Sequence, residues 1–296
     1  MKRLLLALLL AASAPAMAQL FDLGRALDIG RKAVETGQKL SEANREFSTE
    51  EEVALGEGIT AGFLGAARLH PDANLQRYVN RVGKWLALHS ERADLPWTFG
   101  VIDTETINAF AMPGGSIVVS HGLLKRLGSE AELAGVLAHE IAHVVKKHQL
   151  SAIQSSMNTN VFAEIGKEAA GQAIGRRGGS ALTQQAKNVL ADAGIDALRN
   201  GVFLRPLDRS MEYEADRMGV VIAARGGYDP FGLVAVLQML AQAKGDDAGG
   251  ISVFETHPGP GDRIAELERF MPSVLEKYAS QPQNEARFRQ AVGAAK

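Results

Sequence analysis

Three of the chain's seven histidines crowd into one stretch, VLAHEIAHVVKKH at 136–148. Within it His139, Glu140 and His143 spell HExxH. On a helix, two imidazoles four residues apart can grip one metal ion while the carboxylate between them handles a proton of water. At about 100° per residue, His143 lies about 40° and Glu140 about 100° from His139, so all three share a face. Leu133, Val136, Leu137, Ile141 and Val144 spread from about 60° to 200° on the same scale, so that face borders a buried one. Two satisfied core histidines would leave Glu140 as a costly buried carboxylate with no named partner. A metal accounts for all three residues. His148 lies about 140° from His143 on a continuous helix and cannot turn back to the same ion; it reads as a solvated histidine at the helix end.

A catalytic zinc takes three protein ligands and keeps a fourth position open. The chain has no cysteine, so the third ligand must be a histidine or a carboxylate. SMEYEADRMG at 210–219 is the best source. Glu212 and Asp216 share a helix face, while Glu214 lies about 200° round from Glu212 and should be dispensable for metal. Glu212 would bind the ion, and Asp216 would accept the second N–H of a liganding imidazole. The plain alternative is a charged, solvent-exposed helix. Further on, THPGPGDRI at 256–264 carries His257 and Arg263. Alone, a histidine before proline is a surface turn residue.

These groups need elements to hold them. Ser129 and Glu132 form a capping box that opens the HExxH helix, expected to run to about 148. Upstream, WTFGVID and INAFAMPGGSIVVS are rich in β-formers around Pro113-Gly114-Gly115, which predicts two or three short strands including a hairpin. Ser48 and Glu51 start a helix running toward Leu69, and another covers 72–89. Later helices are expected over 208–224 and from Asp229-Pro230 onward. Residues 150–205, rich in Ala, Gly, Gln and Ser with the breaker GRRGG, read as mobile helices or a lid. The fold class is α+β, mostly helical, with a small β-sheet beside the HExxH helix. One domain over 50–275 is followed by a tail helix at 276–296.

Residues 1–18 read as a signal peptide: Lys2 and Arg3, an apolar run from Leu4 to Ala12, and the cleavage pattern Ala16-Met17-Ala18. That run is far short of the roughly 20 residues needed to span a bilayer, and no later segment offers a transmembrane run. Residues 19–49 form a linker and an amphipathic helix, with Leu23, Leu27, Ile29, Val34 and Leu40 among charges. It either docks on the core or makes a peripheral contact with a partner or membrane surface. The absence of cysteine suits an oxidising compartment and removes any lipid-bearing cysteine. A net charge of −2 gives no basic field for nucleic acid, and no 20–50-residue repeat marks a helical-repeat adaptor. The expectation is a soluble periplasmic protein that is not a lipoprotein. Its oligomeric state is not legible.

HEIAHVVKKH, then EYEAD 69 residues beyond His143, then THPGPGDRI, with NAFAMPGGSIVVSHGLL upstream at 108–124, resemble the zinc metallopeptidase family that includes CAAX prenyl endopeptidases and the membrane protease HtpX. Without membrane-spanning helices, the sequence resembles the family's soluble periplasmic branch, LoiP-like and BepA-like, without the repeat domain. The resemblance implies a zincin-like domain with one Zn²⁺ per chain, held by His139, His143 and Glu212, with Glu140 as general base. It implies that His257 and Arg263 face the metal and hydrogen-bond the oxyanion of the tetrahedral intermediate. It also favours Asn108, Ala109, Phe110 and Ala111, continuing to Met112, as an edge strand that pairs with an extended substrate; otherwise they form an ordinary hairpin. The implied function is a zinc metalloendopeptidase of protein quality control, cleaving misfolded or damaged envelope proteins. The alternative is a chaperone-like or binding protein that keeps the fold with little proteolysis. His257 could also fill the fourth metal position and hold the enzyme latent.

Overall fold

The computed structural model describes residues 46–156, 207–242, 257, 259–278 and 280–293. The expected signal peptide, the amphipathic helix after it and nearly all of the expected lid lie outside the described residues.

Helix α1 (Thr49–Ala66) starts at its predicted box: Ser48 Oγ accepts from Glu51 N–H at 3.3 Å, and Glu51 accepts from Ser48 N–H at 3.0 Å. Helix α2 (Ala73–Ala87), capped by Asp72, buries Leu75, Val79, Val82 and Leu86 on one face. Three short strands follow: β1 (Thr98–Ile102), β2 (Ala109–Met112) and β3 (Ser116–Ser120). Their order is β1-β3-β2, with β1 parallel and β2 antiparallel to β3. The β2-β3 connection is a 3-10 turn, Pro113–Gly115, with Gly114 at φ 77°. Glycine takes that conformation without the steric cost of a side chain. A Cβ there would also stand 2.6 Å from Val53 Cα, so α1 rests directly on the turn.

After α3 (His121–Arg126) comes α4 (Glu130–Val145), the HExxH helix. It is apolar on nearly every side and is buried along its length except at Glu132 and Val145, as expected for a helix with neighbours all round. Its first residue is a hub. The buried Glu130 carboxylate accepts from Tyr78 Oη at 2.7 Å, Tyr228 Oη at 3.0 Å and Arg287 Nε at 2.6 Å. The other end departs from the sequence reading. The helix does not reach 148; Lys147 takes φ 57° and a separate helix, α5 (His148–Ser156), starts there.

Helix α6 (Arg209–Arg225) crosses α4 closely enough that a Cβ on Gly219 would lie 3.0 Å from His139 N. Helices α7 (Gly232–Gln242) and α8 (Pro260–Leu275) pack on each other and on α6 through Val220, Leu233, Leu237, Leu267 and Met271. A 3-10 turn, Glu276–Tyr278, leads to α9 (Glu285–Gly293). Phe288 and Val292 of α9 enter the same core as α4, so the tail helix is part of the domain rather than an appendage to it.

Candidate metal centre

Helix α4 turns His139, Glu140 and His143 toward α6, which brings Glu212 and Asp216 to them. The two imidazole Nε2 atoms are 3.0 Å apart. Glu212 sets one carboxylate oxygen 3.6 Å from His139 Nε2 and the other 3.5 Å from His143 Nε2. Donors at about 2.0–2.1 Å from a tetrahedral ion stand about 3.3 Å from one another. Two imidazole nitrogens and a carboxylate oxygen at these spacings fit one small divalent cation.

Both imidazoles are oriented by their other nitrogen. His139 Nδ1 lies 2.9 Å from Asp216 Oδ1. His143 Nδ1 lies 2.9 Å from Nδ1 of His148. Donation from Nδ1–H in both rings leaves two Nε2 lone pairs facing each other, an arrangement a bound cation relieves. Burial holds His143 well below the usual imidazole range, as the neutral ligand form requires. In Glu212, burial works to raise the pKa, but the charge and hydrogen bond of His257 and the charge of Arg263 outweigh it. The carboxylate stays ionised, well below its ordinary range.

His148 corrects the sequence reading. It is not solvated but buried, because the break at Lys147 swings it back over α4. Its Nδ1 accepts from His143 while its Nε2 faces Glu214 at 3.4 Å. It stands outside the cluster of potential ligands, as expected, yet it is the group that orients one of them. Glu214, read as facing away, joins the same chain and also pairs with Lys146 at 2.6 Å. VVKKH contains no Gly, Pro or capping residue to announce the break.

Glu140 lines a pocket beside the ligands together with Ala109, His257 and Arg263, walled by Val136, Leu233, Val236, Leu237 and Leu240. Burial is the main cause that raises its pKa, against the charges of His257 and His139. No hydrogen bond restrains its carboxylate among the described residues. His257 lies within the ligand cluster, its donor atom within 4.8 Å of those of His139, His143 and Glu212. It donates from Nδ1 to both Glu212 oxygens at 2.9 and 3.0 Å. Burial opposes its positive charge, but the Glu212 carboxylate prevails and lifts its pKa.

Arg263 is buried beside the ligands, and part of its five-donor fork is engaged there. Nε and Nη2 reach Asp216 at 2.7 and 2.5 Å, and Nη1 reaches Glu212 at 3.1 Å. The residue expected to donate to the oxyanion also braces the two α6 carboxylates, and it lines the pocket beside Glu140.

Strand β2 is an edge of the sheet, and Ala109 at its start adjoins Glu140 in the pocket wall. Ser120 N–H donates to Asn108 O at 2.9 Å, and antiparallel pairing alternates, so Ala109 and Ala111 aim their backbone away from β3. Ala109 N–H is taken by Asn108 Oδ1 at 2.8 Å. Phe110 packs on Phe63 of α1, ring centroids 5.2 Å apart.

Residues 72–271 match the profile of peptidase family M48. The chain is 28% identical to the beta-barrel assembly-enhancing protease of Escherichia coli (strain K12) over 224 residues, 76% of this chain and 44% of that protein. It is 30% identical to the mitochondrial metalloendopeptidase OMA1 of Schizosaccharomyces pombe over 200 residues, 68% of this chain and 54% of that protein. With the Arabidopsis thaliana protein of the same name it shares 30% over 188 residues, 63% of this chain and 34% of that protein. The chain therefore spans about half or less of each relative. The matched region takes in both the HExxH helix and the helix that brings Glu212 to it, and the chain belongs to peptidase family M48.

Proposed function

We propose that this protein is a zinc-dependent metalloendopeptidase of the periplasm that cleaves misfolded or damaged envelope proteins. The observation that carries the reading is the convergence of His139 Nε2, His143 Nε2 and the Glu212 carboxylate within 3.0–3.6 Å of one another, beside a Glu140 carboxylate that no hydrogen bond restrains among the described residues. When bound, the ion supplies Lewis acidity, bringing the pKa of water toward about 7 and polarising a carbonyl. Glu140, its proton affinity raised by burial, takes the proton of the attacking water and passes it to the leaving amine.

Asp216 and His148 hold the two imidazoles in register, and Arg263 holds Asp216 and Glu212. His257, with the remaining N–H groups of Arg263 beside it, meets the substrate. It donates to the developing oxyanion, or in the resting state takes the fourth ligand position. An extended substrate pairs with the outer backbone of β2 after displacing the Asn108 carboxamide from Ala109 N–H. Main-chain pairing of this kind suits unfolded chains, and the apolar pocket wall suits an aliphatic or aromatic residue next to the scissile bond. The periplasmic setting rests on the leader-like residues 1–18, and the envelope role also draws on the E. coli relative's name.

Casein degradation by the full chain, with and without chelator, tests the reading. Activity should vanish on chelation, return with Zn²⁺ and be absent in Glu140→Gln, which keeps its metal. Full activity in Glu140→Gln would sink the mechanism, and a zinc-loaded protein that protects unfolded chains without cutting them would leave the chaperone-like alternative. The visible spectrum of the Co²⁺-substituted protein separates the two tasks of His257: His257→Ala changes the resting spectrum only if that imidazole is a ligand.

A further inference from the structure

The two remaining buried histidines, His70 and His121, form a second cluster on the other side of the sheet's topology. Strands β1 and β3 run parallel with Ile102 opposite Ser120, so the next residues, Asp103 and His121, leave the sheet side by side. A third segment joins them: Leu69 bridges antiparallel to Ile102, His70 N–H donates to Val101 O at 2.9 Å, and Asp103 N–H donates to Arg68 O at 2.8 Å. The backbone itself thus gathers His70, Asp103 and His121. Each offers one ligand atom, all within 4.8 Å of one another, and the two imidazole centroids are 4.4 Å apart.

An independent observation points to a ligand. His121 is 8% exposed, and its Nε2 is buried without a hydrogen-bond partner among the described residues. A buried polar atom left unpaired costs about 1–3 kcal/mol, and coordination to a cation would satisfy it. Burial, then the charge of His70, lower the His121 pKa, which keeps the ring in the neutral form that ligates. Lys125 on α3, whose charge reaches His121, is already paired with Glu105.

We propose that His70, Asp103 and His121 form a second metal site, separate from the His139/His143/Glu212 centre, that takes one divalent first-row transition ion such as Zn²⁺. Two imidazoles and a carboxylate are the donor set for such ions rather than for Mg²⁺ or Ca²⁺. Closing the set requires a small adjustment, since donors around tetrahedral zinc stand about 3.3 Å apart. The exposed Asp103 side chain is free to swing inward. His70 gives up a long 3.3 Å contact from Asp72 N–H to its Nδ1, because an imidazole that binds through Nε2 carries its proton on Nδ1. The bound ion would tie the 68–70 segment to the ends of β1 and β3. Through Ser120, whose hydroxyl accepts from Asn108 N–H at 3.0 Å, it would also steady the loop that enters β2.

The test is zinc stoichiometry on the metal-stripped full chain, by calorimetric titration and by elemental analysis after dialysis. Wild type should take two equivalents, and His121→Ala and Asp103→Asn should each take one tightly. Asp103 is exposed, so Asp103→Asn keeps the test valid should His121→Ala fold poorly. Its second equivalent should weaken by more than about tenfold, since even partners that merely orient a ligand are worth that much. A wild-type chain that binds a single equivalent overturns the proposal. So do variants that still bind two.

Discussion

His148 shows how a single φ angle rewrites a site. On a continuous helix it would face away from His143, but the positive φ at Lys147 returns it to within 2.9 Å of that ring. His143 donates to His148, and His148 donates toward Glu214, so the proton arrangement that exposes His143 Nε2 is fixed two residues deep. His148→Ala should lower metal affinity about 10- to 100-fold, measured by competition with a zinc indicator, without removing a ligand. Glu214→Ala should cost much less, because its carboxylate is 42% exposed and 3.4 Å from His148. Equal affinities in His148→Ala and wild type would mean that His143 needs no orienting partner. Glu212→Ala, by contrast, removes a donor and should abolish tight binding.

At the scale of elements, the site exists because α6 lies against α4 with no side chain between them at Gly219. A Cβ at that position meets His139 N and Cα at 3.0 and 3.1 Å, and backbone cannot step aside as a flexible side chain can. Gly219→Val should push α6 outward and draw Glu212 and Asp216 away from both imidazoles. Metal affinity should fall by far more than thermal stability does, and an unchanged affinity would show that the crossing is not what positions Glu212. The sequence reading captured elements whose signals are local: the Ser48/Glu51 capping box, the Ser129 cap of α4, the hairpin at Pro113-Gly114-Gly115, and the shared face of Glu212 and Asp216; the expected second box is only half made, since Glu132 accepts from Gly128 N–H rather than from Ser129 N–H. It missed what depends on tertiary contact. The Lys147 break carries no local marker, the commitment of Arg263 to two carboxylates follows from α8 meeting α6, and the role of α9 in the core needs Glu130 as a partner for Arg287.

Across the whole molecule, buried imidazoles link stability to pH. Burial is the leading cause that lowers His143, His148 and His121 below their ordinary value of 6.5. An unfolded chain would protonate these rings near that value while the folded chain keeps them neutral. Below about pH 6.5 the unfolded state therefore binds more protons, and stability falls with pH. Glu212 and Asp216 act in the same direction at lower pH, since both are held below their ordinary values and lose their stabilisation as acid protonates them. Glu140, raised by burial, opposes them, since it favours the fold toward acid and penalises it as the pH climbs through its folded value; so does His257. Its raised pKa contributes stability that is fully present below about 6.5 and fades as the pH climbs through the folded value. Three lowered histidines and two lowered carboxylates against one raised histidine and one raised carboxylate predict a net loss toward acid. The metal-stripped protein should melt at lower temperature at about pH 5.5 than at about pH 7.5, by about 2–4 °C for each kcal/mol lost. With Zn²⁺ present the drop should steepen, because protons then compete with the ion for the same nitrogens. A melting temperature that stays level or rises toward acid in the stripped protein would mean that these rings are already protonated in the fold, and neutral ligands at Nε2 would have to be abandoned.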